Sequence, residues 1–382
     1  MTDLQPVCDD LGAFIISGRV RGVLEEMPQH ESDVRTPAMG VDDAAEAERL
    51  GFRRVWIAER FDLKESAVVL SAAGARTSRL GLSTGIVAIG ARHPMHLAAY
   101  GATMHAVHGP RFALGLGRGA AAYSHGKTMS LAGYSDYCSI LKRLWAGEHF
   151  EYSGPAGDFG RLGLADTYPG TQPEIWAGVF GLPKGAEMVA RTPAIDGVLI
   201  PIMLIPEAVH EVVTNLREAC ERFDRDPATL RLALEVVTCP DMEEEEMRNL
   251  AHARAVTYLQ PEGWSTCFEQ LNHWDVPTLE KLRAHPKFTA VGGGKELADL
   301  KFHRIELKDV ARLIPDKWME DSCAIGTVDE CVKKLQVYKD AGVDEIATYA
   351  STPGQNAKLI AAWRQHTSNR RRSSGVGEPA TV

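Results

Sequence analysis

Short apolar runs alternate with longer amphipathic stretches along most of this chain. The runs are rich in Val, Ile and Leu, which is typical of strands buried on both faces, and the stretches between them repeat apolar residues at helical spacing. The runs predict strands over residues 11–17, 53–59, 79–90, 111–117, 173–178, 194–200, 230–238 and 343–349. Strict alternation of strand and helix implies parallel strands joined by crossover helices. Eight such units favour a closed (β/α)8 TIM barrel over an open doubly wound sheet.

Two segments do not follow the alternation. Residues 243–321 are polar and are interrupted by Pro261, Pro277, Pro286 and three consecutive glycines at 292–294. We expect them to form an insertion before the last strand and helix, partly helical and lying over the barrel mouth. Residues 368–382 show no pattern of apolar residues, which predicts a disordered tail. The remainder, residues 10–366, is expected to be a single barrel domain.

Composition excludes several classes of protein. Of the 382 residues 45% are hydrophobic, which supplies a sizeable core, and the formal net charge of −9 makes the chain a poor partner for nucleic acid. The first residues, MTDLQPVCDD, do not resemble a signal peptide, and no window approaches 18 uninterrupted apolar residues. A cytoplasmic protein that does not contact membranes is expected. The 7 cysteines include no C-x-x-C pair, which indicates reduced packing thiols rather than a metal site.

Active sites of barrels form where the strands end at their carboxyl side, so the residues that follow each strand are the candidates. Three of these clusters are rich in glycine, which suggests a backbone approaching a flat or phosphorylated ligand; tight turns at the barrel rim are the alternative. The clusters comprise Ser17–Gly18, Glu59–Arg60, Ser83–Ile86 (Ser83, Thr84, Gly85, Ile86), Gly115–Ala120 with Gly117, Arg118 and Gly119, Gly178–Lys184 with Val179, Phe180 and Gly181, and Pro201–Met203.

Two further patterns, a glycine-rich run and a group of histidines, resemble binding motifs but fit them poorly. GLGRGA at 115–120 matches the dinucleotide fingerprint G-x-G-x-x-A, but it follows the fourth strand and AAYSHGK delays the helix that the fingerprint requires. The histidines at 93, 96, 105 and 108 do not share one helix face, so capping and surface roles are favoured over metal binding. His93 is kept as a candidate because it lies in the loop after the third strand.

Five strings of the sequence are informative together: AERLGFRRVWIAER (47–60), RLGLSTGIVAIGARHPMHLA (79–98), GPRFALGLGRG (109–119), LKRLWAGEHFEYSG (141–154) and IGTVDECVKKLQVYKDAGVDEI (325–346). They resemble the luciferase-like flavin and deazaflavin oxidoreductases, and the Gly-Arg-Gly after the fourth strand is most similar to the branch that uses coenzyme F420. Their order and spacing agree with the family over roughly residues 10–366.

The resemblance implies a cofactor site. The strand that matches RLGLSTGI would end in a non-prolyl cis peptide at Gly85–Ile86 that supports the cofactor ring from behind. The phosphate would be held near GVFGLPKG (178–185), where a helix beginning near Pro183 and the side chain of Lys184 form an anion site. Gly117, Arg118 and Gly119 would line the other flank.

The chain also departs from its relatives in two places. Many relatives end the second strand with Glu-His or Asp-His, whereas this chain has Glu59–Arg60, and sugar-phosphate dehydrogenases carry an acid where this chain has Ala120. A guanidinium does not exchange protons near neutral pH, so Arg60 is expected to orient or neutralise an anion. Glu59, Arg60 and His93 are the candidate catalytic residues.

The resemblance therefore implies hydride transfer between reduced F420 and an unidentified small organic substrate, in a homodimeric enzyme. Oxidation of a sugar phosphate is not expected. The alternatives are an FMN-dependent monooxygenase of the same fold and a cofactor-binding barrel without turnover.

Overall fold

The computed structural model describes residues 4–17, 34–60, 63–119, 128–167, 170, 172–289 and 298–373. Gly18, Ala120 and residues 374–382 of the predicted tail lie outside these ranges. Within the described ranges no helix is both long enough and apolar enough to cross a membrane.

Eight parallel strands close into a barrel, as the sequence predicted. Each strand pairs with the next, and the last pairs with the first through Leu11 and Ile346. The strands are β1 (Leu11–Ile15), β2 (Arg54–Ile57), β3 (Gly81–Thr84), β4 (Phe112–Gly117), β5 (Glu174–Gly178), β6 (Gly197–Ile200), β7 (Arg231–Pro240) and β8 (Glu345–Tyr349). The single strand predicted over 79–90 is divided: the chain breaks after Thr84, and Val87–Ala88 then pairs separately with β4.

A helix follows each strand on the outside of the barrel. The helices are α1 (Pro37–Leu50), α2 (Ser66–Arg76), α3 (Pro94–His108), α4 (Leu131–Trp145), α5 (Pro183–Ala190), α6 (Pro206–Arg222), α7 (Val328–Asp340) and α8 (Ala357–Ser373). Capping residues determine where several helices begin or end. Thr327 and Glu330 form a capping box at the start of α7, and Gly51 ends α1 in the left-handed conformation at φ 85°. Residues 368–373, predicted to be disordered, are the last turns of α8. Arg364 ties α8 to the barrel by donating to the carbonyl oxygen of Leu50 at 2.7 Å.

The inner face of the barrel is charged at its amino-terminal end. The Arg54 guanidinium lies over the rings of Trp56 and Trp176, 5.5 and 5.2 Å from their centroids, and its Nε is 3.2 Å from the Glu345 carboxylate. Arg231 also lies over Trp176, at 4.9 Å. Side chains alternate along a strand, so these contacts identify which positions of β2, β5, β7 and β8 point into the barrel.

Residues 243–321 form a set of short helices with an aromatic core of their own. Trp274 and Trp318 stack at 4.5 Å between centroids, and Phe268 stacks on Trp274 at 5.6 Å. The described helical pieces are Glu244–Leu250, His252–Leu259, Glu262–Asn272, Val276–Arg283, Pro286–Thr289, Ala298–Lys301, the 3-10 turn Arg304–Leu307, Lys308–Ala311 and Asp316–Ser322.

This insertion contacts the carboxyl ends of the barrel strands. Asn272 donates to the carbonyl oxygen of Met203 at 2.7 Å, just after β6. Phe268 packs edge-on against Phe180, just after β5, at 5.5 Å. The insertion therefore lies beside the barrel mouth, where active sites of this fold are found.

Besides Val87–Ala88, the described residues form three strands that are not among the eight of the barrel. Ala324–Gly326 extends the pairing of β7, and Phe150–Gly154 forms an antiparallel hairpin with Gly157–Leu162.

Candidate active site

A cavity of about 140 Å³ opens at the carboxyl ends of β1, β2 and β8. Phe14 at the end of β1 packs against Tyr349 of β8 with 4.6 Å between ring centroids. The Tyr349 hydroxyl shares a 2.8 Å hydrogen bond with the hydroxyl of Tyr258, from the insertion helix His252–Leu259. All three rings line the cavity. The barrel and the insertion therefore build this site together.

Cationic side chains make up most of the polar lining of the cavity. The lining residues within the described ranges include no aspartate or glutamate. The cations are Arg35, Arg60, Lys64, Arg254 and Arg304, with His303 beside them. Arg35 is additionally held by Asp43, which accepts from its Nη2 at 2.5 Å.

Across the mouth, the side chain of Ile86 lies over two glycines. The Gly85–Ile86 peptide is cis, as the resemblance predicted. A Cβ on Gly117 would lie 2.0 Å from Ile86 Cδ1, and one on Gly178 would lie 2.7 Å from the same atom. These two glycines, interpreted from the sequence as places where backbone approaches a ligand, instead make room for Ile86. The half-buried Ile86 thus forms an apolar surface above β4 and β5.

The side chains of Ser83 and Thr84 are fully buried and bond within the barrel. Their assignment as cofactor-binding residues stays a prediction. Ser83 Oγ accepts from Arg54 at 3.3 Å inside the barrel, and Thr84 Oγ1 donates to the carbonyl oxygen of Gly115 at 2.7 Å. Gly85 is buried as well: a Cβ there would be 2.8 Å from Phe14 Cε2.

Glu59 belongs to an ion-pair cluster rather than to the cavity lining. Arg92 donates to both carboxylate oxygens of Glu59 and also to Glu65 at 2.6 Å. Ser66 Oγ adds a hydrogen bond to Glu59 at 3.3 Å. Burial raises the pKa of Glu59 although Arg92 opposes the shift, whereas hydrogen bonds from Arg92 and Ala67 help to lower the pKa of the more exposed Glu65 against its desolvation. The geometry gives Glu59 a structural role beside the mouth.

His93 caps α3 instead of lining the cavity. Its Nδ1 accepts from the backbone N–H of Met95 at 3.2 Å, and its ring packs edge-on against Phe159 at 5.0 Å. Burial and the neighbouring His96 lower its pKa. His105 is bound elsewhere, at 3.0 Å from the carbonyl oxygen of Phe112. Among the described residues no group of three His, Cys, Asp or Glu side chains is arranged to hold a metal ion.

The loops after β4 and β5 carry the remaining predicted residues. The Arg118 guanidinium donates to the carbonyl oxygen of Met129, and Gly119 adopts φ 74°. Among the described residues, the next helix begins at Leu131.

The loop after β5 leads into α5. Phe180 packs edge-on against Trp264 of the insertion at 5.9 Å, beside the half-buried Val179. Gly181 adopts φ 66°, and a Cβ there would be 2.5 Å from Val212. Lys184 is exposed in the first turn of α5, whose N-cap, Leu182, offers no side-chain hydrogen bond.

The structure therefore divides the predicted site residues into two groups. Arg60 lines the cavity, while the residues after β3, β4 and β5 lie across the mouth. The sequence analysis missed Arg254, Tyr258, His303 and Arg304 because they come from the insertion, whose helices are too short to show a clear period.

The sequence pattern of the luciferase-like monooxygenases matches residues 21–345. The chain belongs to this family. It is accordingly an oxidoreductase.

Relatives of this luciferase-like chain are similar to it in length, but their sequence identity to it is low. It is 23% identical over 318 residues to the 5,10-methylenetetrahydromethanopterin reductase of Methanolobus tindarius, covering 82% of this chain and 90% of that protein. It is 25% identical over 346 residues to a putative coenzyme F420-dependent oxidoreductase of Mycobacterium tuberculosis, covering 83% and 92%. The coenzyme F420 dependent tetrahydromethanopterin reductase from Methanopyrus kandleri superposes with a TM-score of 0.71 at 16% identity, covering 94% and 99%. This structural likeness supports the fold.

Proposed function

We propose that this luciferase-like oxidoreductase transfers a hydride between reduced coenzyme F420 and a small organic substrate. The observation that carries the proposal is the shape of the mouth, where a cavity with aromatic and cationic walls faces the apolar surface of Ile86. Two relatives that span most of the chain support the choice of cofactor, because one is named as a putative F420-dependent oxidoreductase and the other as a methanopterin reductase.

The residues after β5 suit the phosphate that a flavin or deazaflavin cofactor carries. The first N–H groups of α5 lack a side-chain acceptor at the N-cap. No atom lies within 4 Å of a Cβ built on Gly185, so there is space beside this turn. Backbone N–H groups at a helix N-terminus bind anions, and the exposed ammonium group of Lys184 adds a positive charge in the same turn. The ring of the cofactor would rest against Ile86 between this turn and the cavity.

When bound, the cofactor supplies the hydride; the chain supplies position and charge. Arg60 orients an anionic group of the ligand because its guanidinium keeps its proton at neutral pH. The aromatic rings of Phe14 and Tyr349 exclude water from the inner wall.

An FMN-dependent monooxygenase is the second candidate, since the family pattern that matches 21–345 describes monooxygenases. Fluorescence titration of the purified protein with F420 and with FMN decides between the cofactors. Tighter binding of F420, with no oxygen consumption by the reduced complex, supports the proposal. Tighter binding of FMN with oxygen consumption supports the monooxygenase, and binding without turnover of any acceptor indicates a cofactor carrier.

Lys184→Ala tests the phosphate site. Loss of one charge-assisted hydrogen bond is expected to weaken cofactor binding by roughly 1–3 kcal/mol, without unfolding the protein, because the side chain is exposed. Isothermal titration calorimetry measures the affinity, and Lys333→Ala on the outer face of α7 is the matched control. Unchanged affinity together with a lower melting temperature would show that Lys184 is structural.

Arg60→Lys tests the orienting role. The substitution keeps the charge but removes the planar fork, so we expect a higher KM or cofactor Kd with an unshifted pH profile, since neither side chain titrates near neutral pH. Arg191→Lys, at the exposed residue that directly follows α5, is the control. A new pH optimum in Arg60→Lys would contradict the orienting role.

A further inference from the structure

Five aromatic rings run in a continuous row across the barrel mouth, from β1 to the loop after β5. Phe14 packs against Tyr349 at 4.6 Å, and the Tyr349 hydroxyl shares a 2.8 Å hydrogen bond with the hydroxyl of Tyr258. Tyr258 packs on Trp264 with 5.0 Å between centroids, and Trp264 packs edge-on against Phe180 at 5.9 Å. These separations are typical of favourable contacts between rings. We call this set of five residues the aromatic row.

The aromatic row reaches solvent at Trp264. This residue is 39% exposed, and no other Phe, Tyr or Trp in the described ranges is classed with it as exposed. At the other end of the row, Phe14 and Tyr349 are buried and line the cavity. Tryptophan is enriched at binding surfaces because its large ring packs on apolar groups while its N–H meets water or a ligand. Trp264 therefore extends the aromatic wall of the cavity outward.

The cavity beside the aromatic row has room for one aromatic ring. Its volume is about 140 Å³, and an apolar cavity of about 150 Å³ engineered in another protein binds benzene. Ile15, Ile16 and Ala58, where β1 and β2 end, add apolar surface to its wall. A ligand with a second ring has to extend out of the cavity, and Tyr258 connects the cavity to Trp264 in that direction.

The outer end of the aromatic row lies on the same side of the mouth as Ile86. Phe180 comes two residues after Gly178, and a Cβ on Gly178 would lie 2.7 Å from Ile86 Cδ1. Trp264, which contacts Phe180, thus lies near the surface on which the cofactor ring is proposed to rest. A molecule that follows the aromatic row from the cavity to Trp264 passes beside that surface.

We propose that the site takes a substrate with fused aromatic rings, one ring held in the cavity and the next against Trp264. This rests on the proposed hydride transfer, because the aromatic row borders the place of the cofactor ring. A flat conjugated ring gains contacts with the row beyond those of its buried area, whereas a saturated ring is thicker and lacks a π face. Trp264 acts here as a specificity-determining residue, since it contacts the part of the substrate that lies outside the cavity.

Two ketones with the same carbon skeleton test this proposal. In 2-acetylnaphthalene both rings are flat, whereas in 6-acetyltetralin the ring remote from the acetyl group is saturated. Isothermal titration calorimetry of the purified protein, with and without oxidised F420, gives the two Kd values. 2-Acetylnaphthalene should bind roughly 2- to 10-fold more tightly, the range expected of one contact between aromatic rings. Equal affinities, tighter binding of 6-acetyltetralin or binding of neither ketone would overturn the proposal.

Variants of Trp264 show whether the aromatic row is the source of this preference. Trp264→Leu should remove most of it by weakening 2-acetylnaphthalene and leaving 6-acetyltetralin nearly unchanged, while Trp264→Phe, which retains a ring, should keep part of it. Val337→Ala, at a 47% exposed position on α7, is the control and should keep all of it. The full preference in Trp264→Leu, or its complete loss in Trp264→Phe, would contradict the proposal. Failure of F420 to bind the wild type would contradict the proposed function instead, since the preference is also measured without cofactor.

Discussion

Replacing Gly115 by alanine is expected to destabilise the barrel by roughly 3 kcal/mol, near the upper end for overpacking a core. A Cβ at this position would lie 1.9 Å from the carbonyl oxygen of Thr84 and 3.2 Å from Ile86 Cγ2. The first of these atoms is backbone in the neighbouring strand, so no side-chain rotation relieves the overlap. β3 and β4 would have to separate. Urea unfolding followed by circular dichroism measures the loss.

Gly263→Ala is the matched control. Gly263 lies in the helix Glu262–Asn272, is exposed, and has no atom within 4 Å of a built Cβ. Alanine favours a helix interior over glycine by about 1 kcal/mol, so this variant should be slightly more stable than the wild type. If Gly115→Ala unfolded at the same urea concentration as the wild type, the close approach of β3 and β4 would be contradicted.

Arg92→Leu is expected to cost about 3–5 kcal/mol of stability at neutral pH, because it leaves the Glu59 carboxylate buried without a cationic partner. The Glu59 side chain is only 1% exposed, whereas Glu65, the other acid that Arg92 binds, has a side chain 40% exposed and can be solvated. The free energy of unfolding from urea titrations gives the cost. Arg76→Leu, which breaks a fully exposed pair with Asp42, should cost about 1 kcal/mol or less.

The loss of stability caused by Arg92→Leu is expected to decrease as pH falls. The pKa of Glu59 is already raised by burial, and removing Arg92 removes the main group that opposes this shift. A folded state with a raised carboxyl pKa binds a proton more readily than the unfolded state, so the variant gains stability relative to the wild type as pH falls toward about 4.5. Arg92→Leu combined with Glu59→Leu should recover much of the loss. A double variant as unstable as Arg92→Leu would show that the cost arises elsewhere.

The strands were predictable because a parallel barrel buries both faces of each one. Runs such as RLALEVVT therefore stand out from their polar surroundings, and all eight appear in the structure. The end of α8 was not predictable from hydrophobicity, since residues 368–373 are polar and extend a helix whose earlier turns are anchored by Trp363. Helix propagation from an anchored turn needs no apolar residues.

The candidate site was predicted less completely than the fold. Strand order placed Arg60 at the mouth, and the resemblance gave the cis peptide at Gly85–Ile86. The glycines at 117 and 178 were visible in the sequence, but their partner, Ile86, was not, because a glycine does not reveal whether a ligand or another side chain occupies the space beside it.

The barrel closes through β1 and β8, so closure must wait until late in synthesis of the chain. The partners Leu11 and Ile346 are separated by nearly the whole sequence, so β1 leaves the ribosome long before β8 exists. One edge of β1 pairs early with β2, but its other edge must stay unpaired until the end of translation. Unpaired strand edges are prone to join other chains. Nascent chains of this protein are therefore expected to depend on chaperones that shelter β1, and chains truncated before residue 345 should aggregate.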